Sequence, residues 1–123
     1  ERTYDGRPAM LLESYATTPY SLEPLIPDNV LDTTNLFKWL VENIEKDPGR
    51  LAATVQMYLA KGLYQIASHV AKGRKIVFSG GVAYNRMITS YMLGHGVLIN
   101  KEIPCGDGGI CYGQAYLANL RTS

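Results

Sequence analysis

"KIVFSGGVAYN", residues 75–85, sets a short apolar run against two glycines and an amide. Lys75 to Ser79 is too brief for a helix and is bounded by glycines, which predicts a buried strand. Gly80-Gly81 is then the turn, and Val82 to Leu93 reads as a helix with Met87, Ile88, Tyr91 and Met92 available for packing. Two glycines at a strand-to-helix junction have two readings. One is a tight turn, and the other is a ligand lying against bare backbone, because glycine allows positive φ and helix-start N–H groups favour anions.

The pattern recurs. Gly94-His95-Gly96 ends that helix, Val97-Leu98-Ile99 is a second strand, and Pro104-Cys105-Gly106-Asp107-Gly108-Gly109 leads into a closing helix from Ile110 to about Leu120. Strand, helix, strand, glycine loop and helix predict a parallel βαβ unit, with both loops at the carboxyl edge of the sheet, where ligands bind in open α/β folds. Neither loop has the Walker A pattern or GxGxxG, so a P-loop and a dinucleotide fold are not supported.

Upstream, Tyr4-Asp5-Gly6-Arg7-Pro8 reads as a turn and Ala9 to Ala16 as a short helix. Pro19, Pro24 and Pro27 keep the next stretch extended or turning as far as Asp32. Asp32 or Thr33 caps a helix with Leu36, Phe37, Leu40, Val41 and Ile44 at helical spacing, ending near Asp47. Asp47 in turn caps a long helix with Pro48 in its first position. Along it Leu51, Val55, Tyr58, Leu59, Leu63, Ile66 and Val70 form one apolar stripe, and Gly73 stops it.

Composition excludes several classes. With 123 residues the chain suits one compact domain or one lobe of a larger one. Hydrophobic residues at 46% and charged residues at 19% argue for an ordered chain. A net charge of +1 is too weak a field for a duplex nucleic-acid binder. No apolar run approaches a bilayer span, and Glu1-Arg2-Thr3-Tyr4-Asp5 is no signal peptide, so a cytoplasmic protein is expected. Cys105 and Cys111 lack CxxC spacing and fit a reducing compartment, with a bridge between them as the alternative.

The site candidates follow from the loops. Asn85 can bond a purine or ribose, or it can bond nearby backbone in the first turn of its helix. Asp107, flanked by glycines, can meet a cation, or it can form a turn or cap. His69 and His95 have no evident carboxylate or metal partner and are assigned no role. The nine tyrosines read as core and interface residues rather than a base-stacking platform.

"KIVFSGGVAYNRMITSYM" followed by a strand and "PCGDGGICYGQAYLA" resembles the C-terminal end of the HypF hydrogenase-maturation carbamoyltransferases. "TYDGRPAMLLESYA" resembles that family's Tyr-x-Gly segment leading to an acidic helix, and "LAATVQMYLAKGLYQIA" its following long helix. The resemblance implies that residues 1–123 are a single lobe, the second, of an actin-like nucleotide-binding fold of short parallel strands packed by helices, shared with the tRNA threonylcarbamoyl transferases. Those relatives carry Asp-Asn-Gly where this chain has Asp107-Gly108-Gly109.

By the same resemblance, Gly80, Gly81 and Asn85 hold the adenosine part of a nucleotide, Gly6 and Glu13 meet its ribose or phosphates, and Asp107 is a metal ligand. The implied reaction uses carbamoyl phosphate and ATP, by way of carbamoyl-adenylate, to carbamoylate the C-terminal cysteine of the partner HypE. The family's HxxxH metal histidines belong to its first lobe, and His69 and His95 lack that spacing. The resemblance therefore implies a divalent metal, iron or zinc, shared with a missing N-terminal lobe, and an inactive chain without it. Cys105 and Cys111 stand where Asn- or Ser-like residues are expected. A non-catalytic nucleotide-binding or protein-interaction module derived from the lobe is the alternative.

Overall fold

The computed structural model of the chain describes residues 6–121, so Tyr4 and Asp5 of the expected opening turn lie outside the described residues. Asp47 and Pro48 start the helix on which the rest is built. The Asp47 carboxylate accepts from Arg50 N at 2.7 Å, and Pro48 has the preset φ for a first helical position. The helix that follows is the third, α3 (Pro48–Ala71), and its 24 residues extend about 36 Å. It stops where Lys72 and Gly73 turn left-handed, at φ 47° and 84°.

The buried face of α3 follows the expected stripe only at Tyr58, with Leu51, Val55, Leu59 and Ile66 half-buried. Ala52, Ala53, Thr54, Gln56, Tyr58, Ala60 and Gly62 are buried, whereas Leu63 and Val70 are exposed. The reason is the proline-containing segment of residues 16–32, which runs along α3 and needs partners for its backbone. Tyr20 N donates to Thr54 Oγ1 at 2.8 Å, Leu25 N donates to the Tyr58 hydroxyl at 3.1 Å, and that hydroxyl donates to Asp32 O at 2.7 Å. Small residues let the neighbours approach: a Cβ on Gly49 would lie 2.8 Å from Tyr15 O, and one on Gly62 would lie 2.5 Å from Leu31 Cδ1.

Two other helices pack beside it. The first, α1 (Arg7–Tyr15), lies against α3, and the second, α2 (Thr33–Glu42), begins at Asp32, whose side chain accepts from Asn35 N at 3.0 Å. It ends short of the expected Asp47, because Asn43 Nδ2 donates to Trp39 O at 2.7 Å and residues 43–46 turn. Of its apolar positions only Leu36 is buried, Phe37 and Val41 are exposed, and Ile44, also exposed, lies in the turn beyond its end.

After α3 come β1 (Val77–Phe78), α4 (Arg86–Gly94), β2 (Leu98–Ile99) and α5 (Ile110–Arg121). The strands pair in parallel, Val77 with Leu98 and Phe78 with Ile99, which is the expected βαβ arrangement with shorter strands, but β1 is not the expected buried strand: only one face of the pair is covered, and Val77 and Leu98 are exposed. Ala60, Ile88, Met92 and Val97 form a buried cluster, with Tyr64, Ile76, Phe78 and Tyr91 packed around it, so α4 and the strands sit on the second half of α3. The fold is α/β, mostly helical, with one short parallel pair. Helix α4 does not begin at Val82: Gly81–Tyr84 form a 3₁₀ turn and Asn85 is the N-cap.

Candidate functional site at the two glycine loops

The carboxyl ends of β1 and β2 bring the two glycine loops together. Gly80 N donates to Cys105 O at 2.6 Å, and Ser79 Oγ donates to the same oxygen at 2.9 Å. Gly106 N reaches the Tyr84 hydroxyl at 3.4 Å. Loop residues 79–85 and 104–109 therefore form one hydrogen-bonded edge beyond the paired strands.

The glycines on that edge do different jobs. Gly106 and Gly109 are packed: a Cβ at 106 would meet Tyr84 Cε2 at 2.7 Å, and one at 109 would meet Pro104 O at 2.3 Å. Gly80, with φ 107°, is needed for its backbone conformation. Gly81 is needed for neither reason, since its φ is not positive and a Cβ there would have nothing within 4 Å. Its backbone faces open space.

Asn85 lies at the end of the first loop. Its Oδ1 accepts from Ile88 N at 3.0 Å and its Nδ2 donates to Gln56 Oε1 at 2.7 Å. The backbone-capping reading of this residue is thus realised, and the amide remains partly exposed. Glu13 reaches the same helix start from α1, accepting from Arg86 N at 3.0 Å and from Arg86 Nε at 3.3 Å. Gly6 lies at the opposite end of α1, roughly 10 Å from Glu13 at helical rise. The structure brings Glu13 and Asn85 to one helix start, beside the paired loops, and does not bring Gly6 there. A cleft of about 580 Å³, lined by Glu13, Met57, Arg86, Met87 and Tyr91, runs between α1, α3 and α4.

Asp107 is exposed and opens the 3₁₀ turn Asp107–Gly109 on the second loop. Among the described residues no group of three or more His, Cys, Asp or Glu side chains can hold a metal ion. Asp107 is a single acid, so the described residues of this chain do not by themselves fit a divalent metal centre. Cys105 and Cys111 are free thiols rather than a bridge, and the Cys111 thiol faces Gly108 O at 3.7 Å. The His95 ring lies tilted against Tyr64 and Tyr91, at centroid distances of 4.5 and 4.2 Å, and its Nδ1 is 2.8 Å from Tyr91 O, a packing role. Among the described residues no helix is long and apolar enough to cross a membrane.

Gln56, Tyr84 and Arg86 belong to this edge and were not singled out by sequence. Gln56 had one signal: a long polar side chain amid an apolar helical stretch.

Residues 1–114 match the family described as carbamoyltransferase, Kae1-like domain, second subdomain. The chain is 34% identical over 130 residues to the probable carbamoyltransferase HypF of Methanocaldococcus jannaschii, covering 93% of the chain and 17% of that protein. It is 29% identical over 126 residues to the carbamoyltransferase HypF of Rhodobacter capsulatus, covering 95% of the chain and again 17% of the relative. Among solved structures, HypF of T. kodakarensis superposes with a TM-score of 0.80 at 29% identity, over 99% of this chain and 18% of that one. A full-length HypF in the phosphate- and nucleotide-bound form superposes with a TM-score of 0.75 at 29% identity, over 98% and 18%. The chain thus spans about a sixth of each relative.

Proposed function

The chain belongs to the HypF carbamoyltransferase family, as the second subdomain of the Kae1-like domain, and on that premise we propose that it forms one wall of a carbamoyl-transfer site. The substrates on this reading are carbamoyl phosphate and ATP, the activated species is carbamoyl-adenylate, and the acceptor is the C-terminal cysteine of HypE in nickel-iron hydrogenase maturation. The observation that carries the reading is the hydrogen-bonded pairing of the two glycine loops, Gly80 N to Cys105 O, at the carboxyl edge of β1 and β2. Support comes also from the similar full-length HypF, whose structure is a nucleotide-bound form.

Within that wall, the open backbone at Gly81 and the turn at Gly80 receive the adenosine part, and Asn85 bonds it through its amide. Glu13 serves the ribose and phosphates through Arg86, whose guanidinium it holds at the start of α4; Gly6, far from that point, would act only through the placement of α1. Asp107 contributes one oxygen to a divalent metal, iron or zinc, completed by residues outside this chain, in an N-terminal lobe.

In the transfer step the cysteine sulfur bonds to the carbamoyl carbon while the carbon–oxygen bond to the adenylate phosphate breaks. AMP leaves with the bonding pair, and the thiol proton goes to solvent or a base. What this chain supplies is orientation: a nucleotide held by backbone and amide groups that are already fixed needs little reorganisation as the acyl carbon is attacked.

The test uses the full-length polypeptide that the gene encodes, with carbamoyl phosphate, ATP and a peptide ending in cysteine. Mass spectrometry should find one carbamoyl group on the cysteine together with AMP. Neither product, from protein that binds ATP, would reject the transfer reading and favour a non-catalytic nucleotide-binding module.

A further inference from the structure

We propose that Gln56, buried in the middle of α3, is a positioning residue for the nucleotide site: it fixes which atoms of Asn85 a ligand meets. The proposal rests on the nucleotide reading above and deepens it.

Gln56 is 2% exposed, and both ends of its amide are bonded. Its Nε2 donates to Leu12 O at 3.2 Å and to Ala52 O at 3.0 Å. Both of its N–H groups are then used, and Oε1 accepts from Asn85 Nδ2 at 2.7 Å. Turning this amide over would set an oxygen against two carbonyl oxygens and a nitrogen against a nitrogen. In a buried site either mismatch is costly, so the orientation is locked.

The lock passes to Asn85. With Nδ2 facing Gln56 and Oδ1 accepting from Ile88 N at 3.0 Å, the Asn85 amide is fixed as well. What it has left is one N–H and one oxygen lone pair. Such a pair suits a ligand group that both accepts and donates, as a ribose hydroxyl does. A capping Asn without Gln56 would still bond Ile88 N but would be free to swing its nitrogen. Gln56 also ties α1 into the arrangement through Leu12 O, so the placement of α1 and the aim of Asn85 share one side chain.

A purely structural Gln56 would satisfy two carbonyls and leave the ligand indifferent. A double-mutant cycle separates the two cases. ATP is titrated calorimetrically into the full-length polypeptide as wild type, Gln56→Met, Asn85→Ala and the double variant. Gln56→Met should weaken ATP binding by about 3- to 10-fold, and the double variant should bind no more weakly than Asn85→Ala alone, because the glutamine acts through the asparagine. Multiplying losses, or full affinity in Gln56→Met, would overturn the proposal and leave the nucleotide reading intact. Asn85→Ser gives a second arm that does not depend on Gln56→Met folding: serine keeps the cap but has no nitrogen for Gln56. It should lose as much affinity as Asn85→Ala, and retained affinity would overturn the proposal. A wild type that binds no ATP would remove both the reading and the proposal.

Discussion

Replacing Tyr58 by phenylalanine removes one oxygen from a fully buried ring and should release the segment that runs along α3. That hydroxyl donates to Asp32 O at 2.7 Å and accepts from Leu25 N at 3.1 Å, so it ties down both ends of an eight-residue stretch, 25–32, beside the backbone bond from Asp32 N to Leu25 O at 2.8 Å. Two hydrogen bonds at about 1 kcal/mol each give about 2 kcal/mol, and fully buried orphaned partners would raise this to about 4 kcal/mol. Leu25 is 49% exposed, so water can reach its N–H and the lower figure applies. About 2 kcal/mol corresponds to a roughly 30-fold larger population of the opened segment. Hydrogen exchange read by mass spectrometry should show the Leu25 amide exchanging roughly 30-fold faster in Tyr58→Phe. The Tyr20 amide, held by Thr54 Oγ1 at 2.8 Å, should keep its protection and serves as the internal control. Unchanged protection at Leu25 would refute the idea that Tyr58 anchors the segment.

Gly109→Ala sets a Cβ 2.3 Å from Pro104 O, a backbone atom that cannot rotate away, and should cost about 1–3 kcal/mol, read as a lowered unfolding midpoint. Gly62→Ala, opposed by a leucine tip that can turn, should cost less, and the reverse order would contradict the packing described. Asp107→Ala should lower the iron or zinc content of the full-length polypeptide by elemental analysis, and undiminished metal would exclude it as a ligand.

Much of the chain order was legible because it is written in local chemistry. Asp47-Pro48 names a helix start by its cap and its preset φ, and the glycine loops name the two strand ends. Parallel pairing of those strands puts the loops that follow them on one edge, where Gly80 N meets Cys105 O. The face that α3 buries was only partly legible: Tyr58 lies on the apolar stripe, but Thr54 is inside to serve the backbone of residues 16–32 and Gln56 to bond Leu12 O, Ala52 O and Asn85, and hydrophobic periodicity counts only apolar side chains. Nor was the Glu13–Arg86 pair, which joins residues 73 apart and leaves no local trace. The start of α4 moved from Val82 to Arg86 because Asn85 outcompetes the two glycines as a cap, a preference visible in residue type but masked by the apolar Val82 and Ala83.

The nucleotide site stands or falls on the affinity of Gly81→Ala for ATP. A methyl group there meets no atom within 4 Å and requires no unusual φ, so the fold and its unfolding midpoint should be unchanged. If ligand backbone contact is what Gly81 provides, that methyl occupies the ligand's space, and calorimetry on the full-length polypeptide should show ATP binding weakened by about tenfold or more. Wild-type affinity in Gly81→Ala would mean that no nucleotide lies against this edge.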